Sequence, residues 1–284
     1  MGTLHITSGD MSGGNLARAG LPGEVFVWHD ILYDGPRDPG WPSDDILAQR
    51  ALFIEHETGG GLTRNHVLTT LNEQYQRIRT LTDEYIILWF DACLFDQSML
   101  AHIINCLRLC GKTAELLCID SFPGITPYNG IGQLTPEQFA SVYDKRIPIT
   151  EEQYRFAETA DNAFAMQRTN VFRVLADMCD APLPWMPAAV RRWMLERPST
   201  GLGRLEHLAL EAIRAGCSTP DTVYRYVADH DVPPQFWGDT ALWAKINGLA
   251  CRDTPLIKIE GPNGRLPQWD AAGKMELYRI SAAI

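Results

Sequence analysis

The sequence predicts an α/β fold: a Rossmann-like open parallel sheet with flanking helices, a helical middle segment, and a C-terminal winged-helix-like domain. Three observations carry that prediction. Short β-rich runs alternate with helical patterns over residues 1–122, the order of a layered sheet with right-handed parallel crossovers. The run YIILWF at 85–90 is apolar without alternation, as in a strand covered on both faces. After about residue 199, three helical patterns precede two short strand patterns, which is the order of a winged helix.

The elements follow in sequence. TLHITS (3–8) is a strand, and MSGGNLARA (11–19) is a short helix that Gly20 ends as its C′ residue. EVFVWH (24–29) is β-branched and aromatic, hence a strand. The Gly- and Pro-dense YDGPRDPGWPSDD is a loop. Ser43, followed by two aspartates, caps a helix reaching about Glu57, which Gly59 to Gly61 break. Leu68, Leu71, Tyr75 and Ile78 recur at helical spacing in a helix over 63–81. After the 85–90 strand come a helix over 94–110, with Leu100, Ile103, Ile104 and Leu107 inward, and a strand over 114–119.

Past Pro123 the character changes. Thr135-Pro136-Glu137-Gln138 reads as a capping box with Pro in the first turn. Residues 151–178 read as one long helix and 187–196 as a short one, joined by the proline-rich APLPWMP. Helices then fit 203–215, 219–229 and 238–250. PLIKIE (255–260) and MELYRI (275–280) fit antiparallel strands joined by a GPNGR turn. The expected domains are therefore 1–122, the α/β sheet; 123–198, a helical segment packed on it; and 199–284, winged-helix-like.

Composition excludes several classes. The 284 residues suit about two domains of the usual ~150 each. With 45% hydrophobic and 21% charged residues the chain is neither disordered nor collagenous nor a small disulfide scaffold. A net charge of −10 disfavours a generic grip on nucleic acid or an anionic membrane. Residues 199–284 hold nine basic and ten acidic residues, and the would-be recognition helix GDTALWAKINGLA carries one Lys and one Asp. A DNA reader wants basic and amide side chains there, so nucleic acid is not an expected partner. Trp237, Leu242, Trp243 and Ile246 read as core or interface, and a homodimer is a further expectation.

Seven cysteines, an odd number without a CxxC, read as reduced and mostly buried thiols in a cytoplasmic protein. The N-terminus lacks the pattern of a signal peptide or a myristoylation signal, and no run is long and apolar enough to span a membrane.

The segments LHITSGD, LPGEVFVWHDILYDGP, WFDACLFDQSML and GIGQLTPEQ, in this order, resemble the bacterial domain-of-unknown-function family 1835. The tail LGRLEHLALEAIRAG…FWGDTALWAKINGLA…PLI resembles the C-terminal winged-helix-like module usual in that family. The resemblance spans nearly the whole chain. It implies a bacterial cytoplasmic protein and brings no catalytic residues with it. The family segment that tends to read WFEHD is here Trp89-Phe90-Asp91-Ala92-Cys93, so no histidine role carries over to position 92.

Ligands of open α/β sheets bind outside the carboxyl ends of the strands. The polar residues just past each strand are therefore the candidates. Ser8, Asp10, Ser12 and Asn15 follow the first; His29 and Asp30 the second; Asp91, Asp96 and Gln97 the third; Asp120 and Ser121 the fourth. SGDMSGGN is a Gly-rich turn opening a helix, suited to an anion or simply to a tight turn capped by Ser12 or Asp10. It is neither a GxGxxG nor a P-loop. Asp30, Asp91, Asp96 and Asp120 could gather at one edge, where clustered carboxylates hold a proton, bind Mg²⁺ or meet a cationic substrate. Alternatively each caps the following helix. Beside Asp30, His29 suggests a dyad, although adjacent strand residues pair only if the strand has already ended.

Other residues have blander explanations. His5 lies inside a strand and reads as a satisfied core histidine. His102, Cys106 and Cys110 share one helical stripe, where packing outweighs a zinc site. Arg37 and Trp41, on the loop 33–42, could fold over the strand ends, and Lys145, Arg146 and Arg168 could reach an anion from above.

The expected function is an enzyme of transferase or hydrolase type. It would bind a phosphorylated or nucleotide-like small molecule with Ser8, Asp10, Ser12, Asn15, Gln97 and Asp120. Asp30, Asp91, Asp96 and His29 would be its catalytic groups. The alternative is a ligand-sensing regulator or protein-interaction scaffold that uses the C-terminal domain.

Overall fold

A computed structural model describes residues 2–82, 85–231, 238–269 and 274–283. The chain has a mixed α/β architecture with a mostly parallel five-stranded sheet and, among the described residues, eleven α-helices. Two compact units can be separated: Met1–Arg50 with Leu68–Trp193, and Ala51–Val67 with Met194–Ile284.

The first unit holds the large sheet. Its strands are β1 (Thr3–Ser8), β2 (Glu24–Trp28), β3 (Tyr85–Asp91), β4 (Glu115–Ile119) and β5 (Ile147–Pro148), in the order β2-β1-β3-β4-β5. The first four are parallel, with Ser8 opposite Trp28 and Thr7 opposite Trp89. From β1 the chain moves to one side for β2 and then to the other for β3. The order thus reverses at β1, and such reversals leave a crevice at the carboxyl ends of the strands. All of β3 but Tyr85 is buried, as its unbroken apolar run requires.

Helix α1 (Asp10–Ala17) packs against β2. It comes so close that a Cβ on Gly13 would lie 2.2 Å from Val27 Cγ2. The second glycine-rich feature of SGDMSGGN is thus a packing requirement, and the first, Gly9, sits at φ +70° where L side chains are strained. Leu16 of α1 joins Ile87, Trp89, Leu117, Ile119 and Phe139 in the core of one sheet face. Phe139 lies on α5 (Pro136–Val142), whose Thr135–Gln138 capping box forms as expected.

Helices α2 (Asp44–Glu57) and α3 (Arg64–Arg79) lead to β3, and α4 (Leu94–Leu109) follows it. Thirteen of the sixteen residues of α4 are buried, because it packs against both β3 and α6 (Glu151–Met166). Among the thirteen, Asp96, Gln97, Ser98, His102 and Asn105 are polar, so this central helix carries buried hydrogen-bonding groups as well as apolar ones.

Two features depart from the sequence expectations. The long helix over 151–178 is two helices, α6 and α7 (Thr169–Ala176). Gln167 adopts φ +47° between them, and the N–H of Arg168 reaches back to the Ala163 carbonyl at 3.0 Å. A left-handed residue with that bond closes a helix, and apolar periodicity does not register it. Strand β5 is additional: two residues pair antiparallel with β4, and its Pro148 suits an edge position. Helix α8 (Met186–Glu196) follows.

The second unit contains α9 (Arg204–Arg214), α10 (Pro220–His230), α11 (Asp239–Ala250) and the antiparallel pair β6 (Ile257–Glu260) and β7 (Arg279–Ala282). Leu208, Val223, Val227, Leu242, Ile246, Ile257 and Ile280 form its core. Leu242, Trp243 and Ile246 are buried, while Trp237 lies outside the described residues. The expected strand over 275–280 is displaced, since Met275–Leu277 form a 3-10 turn and pairing starts at Arg279. The strands are not joined by a tight turn either. Asn247 of α11 grips the connection, donating to Leu266 O and accepting from Leu266 N at 2.8 and 2.7 Å.

No helix among the described residues is long and apolar enough to cross a membrane.

Candidate functional site

The residues proposed from the sequence divide into four groups. The first is solvent-exposed. Strand β2 ends at Trp28, so His29 is released from the alternation of the strand. Its partner is not the adjacent Asp30. His29 Nε2 meets Asp10 Oδ1 at 2.8 Å, from the neighbouring parallel strand end. The register explains this: Ser8 stands opposite Trp28, so the residues just beyond them emerge side by side. The backbone of His29 is held on both sides by Gln74 of α3, which accepts from its N–H at 2.6 Å and donates to its carbonyl at 3.2 Å. The Nδ1 atom of His29 has no partner among the described residues, so an imidazole oriented by a carboxylate presents its other nitrogen outward.

The second group is buried at the reversal of strand order. Asp96 Oδ1 accepts from Ser8 Oγ at 2.5 Å, and Asp96 Oδ2 accepts from the Asp91 N–H at 2.7 Å. Asp91 accepts from the N–H groups of Cys93 and Ile131 at 2.8 and 3.1 Å. Gln97 Nε2 donates to Asp91 O at 2.6 Å and approaches Cys118 Sγ at 3.4 Å. Helix α4 is capped by Cys93, whose sulfur accepts from the Asp96 N–H at 3.4 Å. Neither carboxylate is the cap.

Burial pushes both acids up from the ordinary carboxylate range, and for Asp96 the charge of Asp91 adds to it. Burial likewise raises the Cys93 and Cys118 thiols, and both carboxylates add to the effect. Among the described residues no Lys, Arg or His pairs with either acid. The Tyr128 hydroxyl is buried without a hydrogen-bond partner among the described residues, and its pKa is raised by burial and then by Asp91 and Asp96. Tyr128 was not among the sequence candidates, because it follows no strand and carries no motif.

The third group is committed to the core. The Asp30 carboxylate receives Arg50 Nε at 2.6 and 2.8 Å, away from His29. Arg37 does not cover the strand ends. It forms a buried ion pair with Asp161 and donates to Leu32 O, and burial pushes its pKa down to about 10. His102 joins this network through Arg37, Asp161 and the Tyr75 hydroxyl. Cys106 and Cys110 do not gather with it as a metal set among the described residues. Trp41 packs against Tyr75 and under Arg79. Arg146 bonds Glu115 at the amino end of β4, the wrong end of the sheet for a ligand at the carboxyl ends.

The remaining candidates serve local structure. Ser12 Oγ donates to the carbonyls of Ser8 and Gly9. Asn15 donates to Leu134 O at 2.9 Å. Exposed Asp120 accepts from Ser121 Oγ and Trp185 Nε1, each at 3.0 Å. His5 is the satisfied core residue expected: Trp89 Nε1 donates to its Nδ1, leaving Nε2–H for Pro22 O.

Compared with models of known protein families and with curated proteins, the chain matches none.

Proposed function

We propose that this protein is an enzyme of transferase or hydrolase type. It binds a phosphorylated or nucleotide-like small molecule at the carboxyl ends of β1 and β2. His29 is the acid–base group and Asp10 the carboxylate that orients it. One observation carries this reading: the 2.8 Å His29–Asp10 pair on neighbouring parallel strand ends. A general base needs an open nitrogen and a fixed ring, and Gln74 fixes the backbone that bears the ring.

Further features support it. The order β2-β1-β3-β4 favours a Rossmann-like sheet, in which ligands sit where the strand order reverses. No side chain caps the amino end of α1, leaving its first N–H groups and the positive end of its dipole for an anion. All seven cysteines are free, in keeping with the cytoplasmic bacterial setting that the motif resemblance implies. Three helices and an antiparallel strand pair favour a winged-helix-like second domain. A DNA-reading role for it is disfavoured by the burial of Leu242, Trp243, Ile246 and Leu249 along α11.

A thermal-shift screen with nucleotides, sugar phosphates and inorganic phosphate, each with and without Mg²⁺, tests the reading. A ligand at 100 times its Kd adds about 2.7 kcal/mol of stability. The expected hit survives in Lys245→Ala, and turnover of that ligand disappears in His29→Ala and falls in Asp10→Ala. No hit among these anions, or turnover unchanged in His29→Ala, overturns it.

A further inference from the structure

The buried group at the end of β3 has more hydrogen-bond acceptors than donors. Each carboxylate offers about four lone-pair positions. The donors that reach Asp91 and Asp96 are Ser8 Oγ, the Cys93 thiol and the N–H groups of Asp91, Cys93 and Ile131. No basic side chain among the described residues offsets their charge.

An independent observation points the same way. Gln97 is fully buried, and its Oε1 has no hydrogen-bond partner among the described residues. Its Nε2 is bound to Asp91 O, so the amide oxygen, held by the same carbon, lies close to the Asp91 backbone. Flipping the amide does not help. It would set Oε1 against the Asp91 carbonyl, another acceptor, at the 2.6 Å now held by Nε2. A buried amide oxygen without a donor is costly, and a cation removes that cost.

Asp91, Cys93 and Asp96 each offer one ligand atom within 4.8 Å of the others. Small side-chain rotations bring such atoms to the ~2.0–2.3 Å of zinc bonds. A thiol among the donors favours zinc over Mg²⁺, which takes oxygen ligands, keeps several waters and demands near-octahedral space.

We propose that Asp91, Cys93 and Asp96, completed by Gln97 Oε1, bind one zinc ion at the carboxyl end of β3. The site is separate from the His29–Asp10 pair and does not depend on the activity assigned to that pair. Because it is buried, it loads during folding.

The test is to refold the full chain with zinc, dialyse it against a weak chelator and measure bound metal. One equivalent is expected in the native chain and in His29→Ala, with at least a tenfold loss in Asp96→Asn. Refolding with Co²⁺ should give a near-ultraviolet thiolate-to-cobalt band that Cys93→Ser loses and Cys179→Ser keeps. Since Asp96→Asn could fold poorly, the cobalt band in the native chain stands as a separate criterion. A native chain that folds yet retains less than a tenth of an equivalent overturns the proposal. So does a cobalt band that survives Cys93→Ser.

Discussion

Ser8 Oγ lies 2.5 Å from Asp96 Oδ1, tying the end of β1 to the first turn of α4. Removing the hydroxyl leaves a buried carboxylate oxygen one donor short. Ser8→Ala should therefore cost about 1–3 kcal/mol in denaturant unfolding. A loss below a few tenths would mean that the bond contributes nothing.

Asp30 and Asp10 make opposite predictions although both follow strands. Asp30 is buried against Arg50, so Asp30→Ala strands a buried guanidinium and should cost about 3–5 kcal/mol. Asp10 is largely exposed, and its pair with His29 should be worth less than about 1 kcal/mol. Unfolding midpoints of the two variants measure the contrast. Equal losses would contradict the division between core and site carboxylates.

Gly13→Ala places a methyl group 2.2 Å from Val27 Cγ2. Overpacking of this kind costs about 1–3 kcal/mol. Val27→Ala removes the obstructing methyl, so the double variant should lose less than the two single losses combined. A double-mutant cycle reads that coupling directly.

Burial holds His102 well below the usual imidazole range, and the charges of Arg37 and Arg50 add to it. Tyr75, Asp161, Cys106 and Trp28 also face the ring. The folded state keeps His102 neutral, whereas the unfolded chain takes up a proton below about pH 6.5. Stability is therefore lost as pH falls through that value, until the lower folded pKa is reached. His5 acts with the same sign. Between about pH 7.5 and 5.5, His102→Gln should show a smaller fall in unfolding midpoint than the native chain. Parallel slopes would refute the assignment.

Much of the sheet was legible because its strands are apolar runs that punctuation separates. Asp91 and Asp96 were found by position, just past such a run. What the sequence hid was partnership. His29 beside Asp30 suggested a pair, but the parallel register decides lateral neighbours, and it selects Asp10. Cys93 was overlooked as a cap because aspartates flank it and sulfur is a weak acceptor. Arg37 looked like a loop residue free to reach outward, yet the loop turns it inward to Asp161, which is 124 positions away in sequence. Gln167 ends α6 through its backbone angle, for which its side chain gives no sign.

The Ser8–Asp96 bond spans 88 residues of chain. Such a contact cannot form early, because closing a long loop costs entropy before any packing offsets it. The acid cluster is therefore a late event in folding and needs β1 and β3 already side by side. The same scaling makes the cluster tolerant of evolution in the intervening chain. Doubling that length would add only about 0.6 kcal/mol to closure, so loops between these strands can lengthen or shorten while the carboxylates keep their places.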